Sequence, residues 1–457
     1  MPRGPVSIAF LGVAFARVWL TMLVVEPPSG VAVASLSHSV FDFGYVAVSL
    51  ACALGARRIV PLSKGHGWYA AALLGMVSAS CVWVCGGAIG IAPAAFPIAA
   101  AIGGGAYGLF LLLNAEVFAG LSALRIILYL SGARILACVM VFLLGDAGFL
   151  RCAFALLCLP CVAVFLVYVS YHSLPEVDHR RPVYPRFAYP WKLVALVGIF
   201  SFAYGMRQAS LVAGAGQHSS LSTALVMGCV FIATYFFSDR IDVSRLCRLP
   251  LPLMLCGVTL IPAEGIFGQV VSSYLVSTGY TLLTFLVAIL LYDMAKRTGV
   301  PIVPLAAGAN AMQAFVVLGA GVSGRIEALA GGAVGSIAAS LLVLVAVAVS
   351  FALLFSEREL ASRWGIRILE EPSLNRGTQA ELVRAQRREE LARLYQLTPR
   401  EEEVLLELSQ GKDNQAIARD LLIAPGTLKA HTRHIYEKMG IHKRSELDQL
   451  LGMNESK

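Results

Sequence analysis

Charged residues are scarce in this sequence. They make up 14% of the 457 residues, and 58% are hydrophobic, whereas a soluble protein carries about 25% charged residues. The deficit lies before residue 357, where apolar runs of about 20 residues, long enough to cross a bilayer, follow one another with short breaks. From residue 357 onwards Glu, Arg, Lys and Gln dominate. The contrast excludes a single soluble globular domain. It predicts one domain in the lipid bilayer and a second domain in water.

The residue groups that enzymes and metal sites need are also missing. All ten cysteines precede residue 357, and Cys158 and Cys161 have a CxxC spacing without a second pair or a histidine cluster. No nucleophile lies beside a base, and the glycine-rich stretch 101–108 sits inside an apolar run, where small residues favour close helix packing. The sequence therefore predicts no enzyme, no metal and no cofactor.

The apolar runs predict about twelve membrane-spanning helices. The first run begins within about ten residues of the start and is followed by further spans, so we expect a transmembrane helix there rather than a cleaved signal peptide. The predicted spans are 6–26, 36–56, 67–88, 94–117, 122–145, 149–171, 191–213, 219–238, 249–269, 272–293, 302–323 and 330–355.

Positive charge in the connections predicts the orientation. Residues 1–356 carry 19 Lys and Arg against 11 Asp and Glu, which accounts for the net charge of +8, whereas the tail carries 17 of each. The odd-numbered connections hold only Arg151 and Arg325. The even-numbered ones hold Arg57, Arg58, Lys64, Arg125, Arg180, Arg181, Arg186, Lys192, Arg240, Arg245, Arg248, Lys296 and Arg297. Because cytoplasmic loops collect Lys and Arg, we expect a cytoplasmic (inner) membrane protein with both termini in the cytoplasm.

The span pattern resembles the major facilitator superfamily. Six spans, a longer polar connection at 172–191 and six more spans follow one another. That resemblance implies a six-plus-six helical bundle. The connection GARRIVPLSKGHG, between spans two and three, departs from the family because it lacks the acidic residue of the usual Gly-rich motif. This departure argues against transport activity.

Five ionisable residues fall inside the spans, where they are costly and often functional. They are Arg17, Asp42, Glu116, Arg134 and Arg207. If they converge, they form a ligand pocket for a small organic anion or a polar aromatic compound, and Arg17 and Arg207 are the best candidates because no acid is near them in sequence. The alternative is an internal set of salt bridges, such as Arg134 with Glu116 or Asp42.

Residues 357–395 read as a cytoplasmic linker. The stretch 370–377 predicts a flexible break, and strong helix formers predict a helix over 378–395. This helix is either a solvated connection or an element that pairs with a second copy or docks on the membrane domain.

The last segment, 396–457, carries helix-turn-helix signals. Thr398-Pro399 predicts an N-cap followed by proline at the first helical position, and Gly411 ends that helix. Asp413 or Asn414 caps the next helix, a turn is predicted at 423–426, a third helix runs from about Thr427 to Gly440, and a short fourth helix covers 444–451. Two short helices joined by a tight turn, the second of them basic, are typical of DNA-binding domains.

Residues 397–447, LTPREEEVLLELSQGKDNQAIARDLLIAPGTLKAHTRHIYEKMGIHKRSEL, resemble the LuxR-type family along their whole length. The departures are Ala424, Leu428 and His434, where Ser, Val and Asn are common. The resemblance implies a four-helix domain that contacts DNA bases or backbone through Thr427, Lys429, Arg433 and His434. Lys438, Lys443 and Arg444 are expected to hold phosphates, with simple solvation as the alternative for Lys438 and Arg444.

Together these features predict an all-α, membrane-embedded, one-component transcriptional regulator. Its domains are 1–356, 357–395 and 396–457. Its expected partners are the lipid bilayer, double-stranded promoter DNA, an unidentified small molecule and, because helix-turn-helix domains often read paired half-sites, a second copy of the chain. The alternatives are a major-facilitator-like transporter with an attached regulatory DNA-binding domain, and a membrane tether that only positions a DNA binder.

Overall fold

The computed structural model of the chain describes residues 7–25, 34–89, 92–145, 148–174, 191–209, 218–236, 249–260, 266–298, 300–330, 337, 341–349, 391, 395–409, 413–421, 424–441, 443–444 and 446–447. The chain divides into two compact units, Met1–Leu369 and Glu370–Lys457. The predicted linker 357–395 lies almost wholly outside the described residues, so its helix and its boundaries stay predictions. No strand occurs among the residues just given, in agreement with the predicted all-α class.

The first unit consists of helices that overlap the predicted apolar spans, but the predicted break at 270–271 lies inside one helix, Ile266–Thr298, and the predicted span 302–323 contains a helix break after Ala311. They are α1 (Gly12–Leu20), α2 (Ala34–Ile59), α3 (His66–Ile89), α4 (Ala95–Ala119), α5 (Ala123–Gly145), α6 (Phe149–Ser173), α7 (Trp191–Ala209), α8 (His218–Phe236), α9 (Pro250–Thr259), α10 (Ile266–Thr298), α11 (Ile302–Ala311) and α12 (Ala314–Ala330). Short 3-10 and π turns, Ile8–Leu11 and Thr21–Val25, extend α1 at both ends. Residues 341–349 are also helical.

These helices form two groups in chain order, α1 to α6 and α7 to α12. Within the first group, α4 packs against α2 and α3, and α6 packs against α1 and α3. Within the second group, α7 packs against α12 and α9 against α10, whereas α8 and α11 pack mainly on helices of the first group. The pairs α2–α11 and α5–α8 join the groups. The interface between the groups is therefore lined by helices of both, including α4, α5 and α10.

The outer surface of this unit is apolar. Among the described residues, seven helical segments are long and apolar enough to cross a membrane, and four apolar helices are shorter. Large hydrophobic side chains such as Leu54 and Phe142 are 89% and 83% exposed, which is stable only where the surrounding medium is itself apolar. The unit is a multi-pass helical membrane domain, and the number of twelve spans stays a prediction.

Helices α2 and α4 approach each other through glycine. A Cβ atom on Gly104 of α4 would collide with the carbonyl oxygen of Phe41, and a Cβ on Gly44 of α2 would collide with that of Ala101. Because backbone atoms cannot move aside as a flexible side chain can, these two positions accept no larger residue. The crossing places the aromatic side chains of both helices side by side at the centre of the unit.

We expect Gly104→Ala to destabilise the membrane domain by about 1–3 kcal/mol, because the added methyl group forces α2 and α4 apart. Gly228→Ala on α8 is the matched control, since a Cβ there meets no atom within 4 Å. Thermal unfolding of the two purified variants in the same detergent measures the difference. Equal melting temperatures would contradict the close crossing.

The second unit contains three described helices, α13 (Pro399–Ser409), α14 (Asn414–Asp420) and α15 (Pro425–Met439). Their apolar faces enclose a separate core of twelve buried residues: Leu391, Leu397, Val404, Leu405, Leu408, Ile417, Ala418, Leu428, Ile435, Met439, Ile441 and Leu447. Of the predicted fourth helix, residues 444, 446 and 447 are described, and all three are helical.

Candidate nucleic-acid interface and membrane-domain site

Helix α13 begins with reciprocal capping bonds. The backbone N–H of Thr398 donates to Glu401 Oε2 at 2.8 Å, and the backbone N–H of Glu401 donates to Thr398 Oγ1 at 3.4 Å. This pattern is a capping box, which satisfies two amide groups that the first turn of a helix leaves without partners. The predicted N-cap and proline start are confirmed. The T-x-x-E spacing of Thr398 and Glu401 in the sequence could have indicated the capping role of Glu401.

Glu401 also joins the beginning of α13 to the end of α15. Its carboxylate lies 2.6 Å from the ammonium of Lys438, and Glu401 is only 4% exposed. The same ammonium donates to the carbonyl oxygen of Gln396 at 3.2 Å, a non-glycine residue in the left-handed region with a φ of 47°. Burial acts to raise the pKa of Glu401, but the hydrogen bonds from Lys438 and Thr398 prevail and lower it to about 2.

Helices α14 and α15 form the helix-turn-helix. Asp413 is the N-cap of α14, and its side chain accepts from the backbone N–H of Ala416 at 2.6 Å. Helix α15 begins at Pro425, two residues before the predicted start at Thr427. The proline ring holds the φ that the first helical position requires, so the expected turn residues Pro425 and Gly426 are helical. Ala424, the N-cap, makes no side-chain cap bond, as expected from its lack of a hydroxyl group.

Helix α15 presents one apolar and one polar face. Leu428, Ile435 and Met439 are buried, and the helix ends at Gly440, whose φ of 67° is left-handed. The exposed residues among the predicted DNA contacts are Thr427, Lys429, Arg433, His434, Lys438 and Lys443. Arg433 also pairs with Glu437 at 3.4 Å, but both side chains are largely exposed, so the pair costs little to break.

Two of the predicted contacts, Lys438 and Arg444, bond within the domain. Lys438 has the partners described above. Arg444 donates to the carbonyl oxygen of Leu408, at the end of α13, at 3.2 Å. These bonds add a role within the domain that the sequence interpretation did not include, and the phosphate contacts stay predictions. The bonds explain why the two basic residues stand at these positions whether or not DNA is bound.

In the membrane domain, the carboxylate of Glu116 binds backbone amides of the loop between α2 and α3. Its two carboxylate oxygens accept from the backbone N–H groups of Leu62 at 2.9 Å and Ser63 at 2.7 Å. These amides belong to the short turn that follows α2, so the carboxylate ties α4 to the α2–α3 connection. Its oxygens are therefore occupied by backbone groups rather than by Arg134, the partner considered from the sequence.

Arg134 points into the interface between the two groups of helices. Its guanidinium donates to the carbonyl oxygen of Thr281 on α10 at 3.2 Å and lies 5.6 Å from the centre of the Phe285 ring. The charge of Arg17 on α1 acts on it, and the phenol groups of Tyr280 and Tyr107 lie within electrostatic range of it. Helices α1, α4, α5 and α10 thus converge on this guanidinium.

Arg17 and Asp42 lie in the same region. Arg17 acts electrostatically on Tyr107 of α4, Tyr204 of α7 and Tyr280 of α10. Asp42, on α2, is 6% exposed and acts on Tyr45 and Tyr280. The structure thus brings together three of the five ionisable residues predicted for a pocket. The side chain of Arg207, the fifth, lies outside the described residues.

Tyrosine and tryptophan rings surround this polar cluster, and the sequence interpretation missed them. The rings of Tyr204 and Tyr280 stack with centroids 4.5 Å apart and planes at 12°. The ring centroid of Tyr107 lies 6.2 Å from that of Trp19 and 6.0 Å from that of Tyr45. Mid-span tyrosines, which carry a hydroxyl group into an apolar run, were the signal that could have indicated them.

The second unit matches a known family. A family model described as bacterial regulatory proteins of the luxR family covers residues 395–451. Residues 395–451 are a LuxR-family helix-turn-helix domain. Over 51 residues the chain is 45% identical to the nitrate/nitrite response regulator NarL of Escherichia coli K12, which is 11% of this chain and 24% of NarL.

Two further relatives match the same part of the chain. It is 43% identical over 49 residues to a probable transcriptional regulatory protein NarL of Mycobacterium tuberculosis H37Rv, covering 11% of this chain and 23% of that protein. It is 39% identical over 57 residues to the uncharacterized transcriptional regulatory protein YhcZ of Bacillus subtilis 168, covering 12% and 27%. The chain thus spans about a quarter of each of these relatives, and the similarity concerns the LuxR-family domain alone.

Among solved structures, the chain is similar to a major facilitator superfamily transporter, FucP, in the outward conformation. The identity is 12%, the TM-score is 0.48, and the match covers 76% of this chain and 98% of that one. A second structure, of a variant of the E. coli fucose:proton symporter FucP, gives 14% identity, a TM-score of 0.46 and coverage of 76% and 97%. A likeness at this level says nothing about a substrate.

The ion pair of Glu401 predicts how the stability of the LuxR-family domain depends on pH. Because its folded pKa of about 2 lies below the ordinary value of 4.5, the ionised carboxylate stabilises the folded state at neutral pH. That contribution is lost as pH falls from about 4.5 towards 2. Lys438 is partly exposed, and solvent screening limits the contribution to about 1–2 kcal/mol.

We therefore expect Glu401→Gln to lower the free energy of unfolding at pH 7 and to flatten its decline between about pH 5 and pH 2. Urea unfolding of residues 370–457, which enclose their own core, measures both effects. Glu402→Gln, at an exposed neighbouring position, is the matched control. A Glu401→Gln domain with the stability and pH profile of the wild type would refute the role of this ion pair.

Proposed function

We propose that the chain is a membrane-embedded, one-component transcriptional regulator. A small molecule binds among the helices of the membrane domain, and the LuxR-family domain binds promoter DNA. The observation that carries the proposal is the joining, in one chain, of this DNA-binding domain to a membrane domain with a cluster of cationic and aromatic side chains between its helices. The positive charge of the even-numbered connections supports a cytoplasmic location for both termini, on the side where DNA is.

Helix α15 is the recognition helix in this proposal. Lys429 and Arg433 are one turn apart, both exposed, and can reach base edges and backbone in the major groove. Thr427 and His434 flank them on the exposed surface, and Lys443 supplies a phosphate contact beyond the helix. The internal bonds of Lys438 suit it to fix the end of α15, and that of Arg444 suits it to fix the segment after α15, in addition to any phosphate contact. Two copies of the domain on paired half-sites complete the assembly.

Substitution of Lys429 or Arg433 by Ala is expected to weaken binding to the target promoter about 5- to 150-fold, because each loses about 1–3 kcal/mol of contacts. Arg419→Ala on α14 is the matched control, since this exposed arginine bonds to the carbonyl oxygen of Gln415 on its own helix. Electrophoretic mobility shifts with the promoter fragment at fixed salt measure the affinities. If all three variants bind equally well, the recognition surface lies elsewhere.

The proposed function is tested by transcript sequencing in the native cell across a panel of small organic compounds. Three strains are compared: wild type, a deletion, and a strain in which both Lys429 and Arg433 are replaced by Ala. We expect one compound to change the transcription of a neighbouring operon in the wild type only.

Uptake of the same compounds is measured in parallel. If transcription is the same in all three strains while uptake depends on the gene, the chain is a transporter and the proposal is wrong. If the operon responds to the gene but never to a compound, the membrane domain only tethers a DNA binder.

A further inference from the structure

Two arginines lie near each other in the membrane domain, and neither forms a salt bridge with a carboxylate among the described residues. Arg17 of α1 and Arg134 of α5 repel each other. Each guanidinium has five N–H donors. Among the described residues, Arg134 makes one hydrogen bond, to Thr281, and the guanidinium of Arg17 makes none. Most of these donors are therefore available to another acceptor.

Such an arrangement is costly in a medium of low dielectric constant. Like charges in apolar surroundings repel strongly, and a buried cation is stable only with a counter-charge or hydrogen-bond acceptors. The groups acting most strongly on Arg134 are Arg17, Tyr280, Tyr107 and Cys138, none of which is a carboxylate. An anion placed between the two guanidinium groups removes the repulsion and fills their donors.

The walls of the cluster favour a flat ligand body. Tyr107 lies near both arginines, and its ring packs beside Trp19 and Phe41 at centroid distances of 6.2 and 6.1 Å. The stacked pair of Tyr204 and Tyr280 lies on the side of helices α7 and α10. Aromatic rings prefer offset-stacked and edge-to-face contacts with other rings, and the tyrosine hydroxyl groups add hydrogen-bond donors.

We propose that Arg17 and Arg134 bind the carboxylate of a small aromatic carboxylic acid, whose ring lies among Tyr107, Tyr204 and Tyr280. The inference rests on the proposed function, for which it names the chemical class of the ligand. The ligand connects helices α1 and α5 of the first group to α7 and α10 of the second. Its binding therefore favours one arrangement of the two groups over others.

The test uses the full-length protein in nanodiscs of phosphatidylglycerol and phosphatidylethanolamine. The probes are benzoate, 4-hydroxybenzoate, 3-phenylpropanoate and 3-(4-hydroxyphenyl)propanoate, each beside its neutral primary amide. Thermal unfolding is followed by tryptophan fluorescence, because a ligand that binds the folded state raises the melting temperature. We expect at least one carboxylate to raise it and the corresponding amide to leave it unchanged.

Three variants locate the site. Arg17→Gln and Arg134→Gln are expected to weaken carboxylate binding at least about tenfold, as the loss of a charge-assisted hydrogen bond requires. Arg151→Gln, at an exposed position at the start of α6, is the matched control and retains wild-type affinity. Without ligand, Arg17→Gln melts no lower than the wild type, because it removes one of two repelling charges, so a loss of binding is not a loss of folding.

The proposal is overturned if none of the four carboxylates shifts the melting temperature, if acids and amides act alike, or if both Arg→Gln variants retain wild-type affinity. Its failure is separable from failure of the proposed function. If carboxylates bind through the arginines but transcription never responds, the ligand class is correct and the proposed regulatory function is wrong. If transcription responds only to neutral or cationic compounds and no carboxylate binds, the regulatory function is correct and the ligand class is wrong.

Discussion

Backbone N–H and C=O groups inside a bilayer find no water, and they must be satisfied within the chain. This constraint accounts for the succession of helices from α1 to α12 and for the glycine contacts that let α2 and α4 cross closely. The same constraint applies to the polar side chains inside the membrane domain, which also need partners there. Glu116 uses its carboxylate to satisfy two loop amides, whereas Arg17 and Arg134 satisfy few groups of the protein itself.

The charged side chains of the two units have different kinds of partners. In the LuxR-family domain, charged side chains bind other parts of the same domain: Glu401 serves both Thr398 and Lys438, and Arg444 bonds to the carbonyl oxygen of Leu408. The ion pair of Glu401 with Lys438 holds the end of α15 against α13, and Arg444 ties the segment after α15 to the end of α13. In the membrane domain the arginines face an interface between helices, where their charges remain available. The first arrangement suits a rigid reader of DNA, and the second suits a binding site.

Apolar runs and capping residues predicted the positions of the helices well, because both depend on local sequence. The roles of single charged residues depended on packing and were harder to predict. Glu116 was assigned to a pocket, yet its partners are backbone amides of residues 54 and 53 positions earlier. Lys438 was expected to hold a phosphate, and its ion pair lies 37 positions away. The convergence of Arg17 with Arg134 likewise follows from the crossing of helices, which no periodicity in one helix encodes.

The entry of the chain into the LuxR-family domain has a mechanical consequence. Gln396 holds a left-handed backbone conformation that is unfavourable for a residue with a side chain, and its carbonyl oxygen is bound by Lys438. Lys438 lies on the same helix as Lys429 and Arg433. If Gln396 relaxed to a right-handed conformation, its carbonyl group would turn and Lys438 would lose one of its two acceptors. The backbone conformation of Gln396 is thus mechanically coupled to the end of α15.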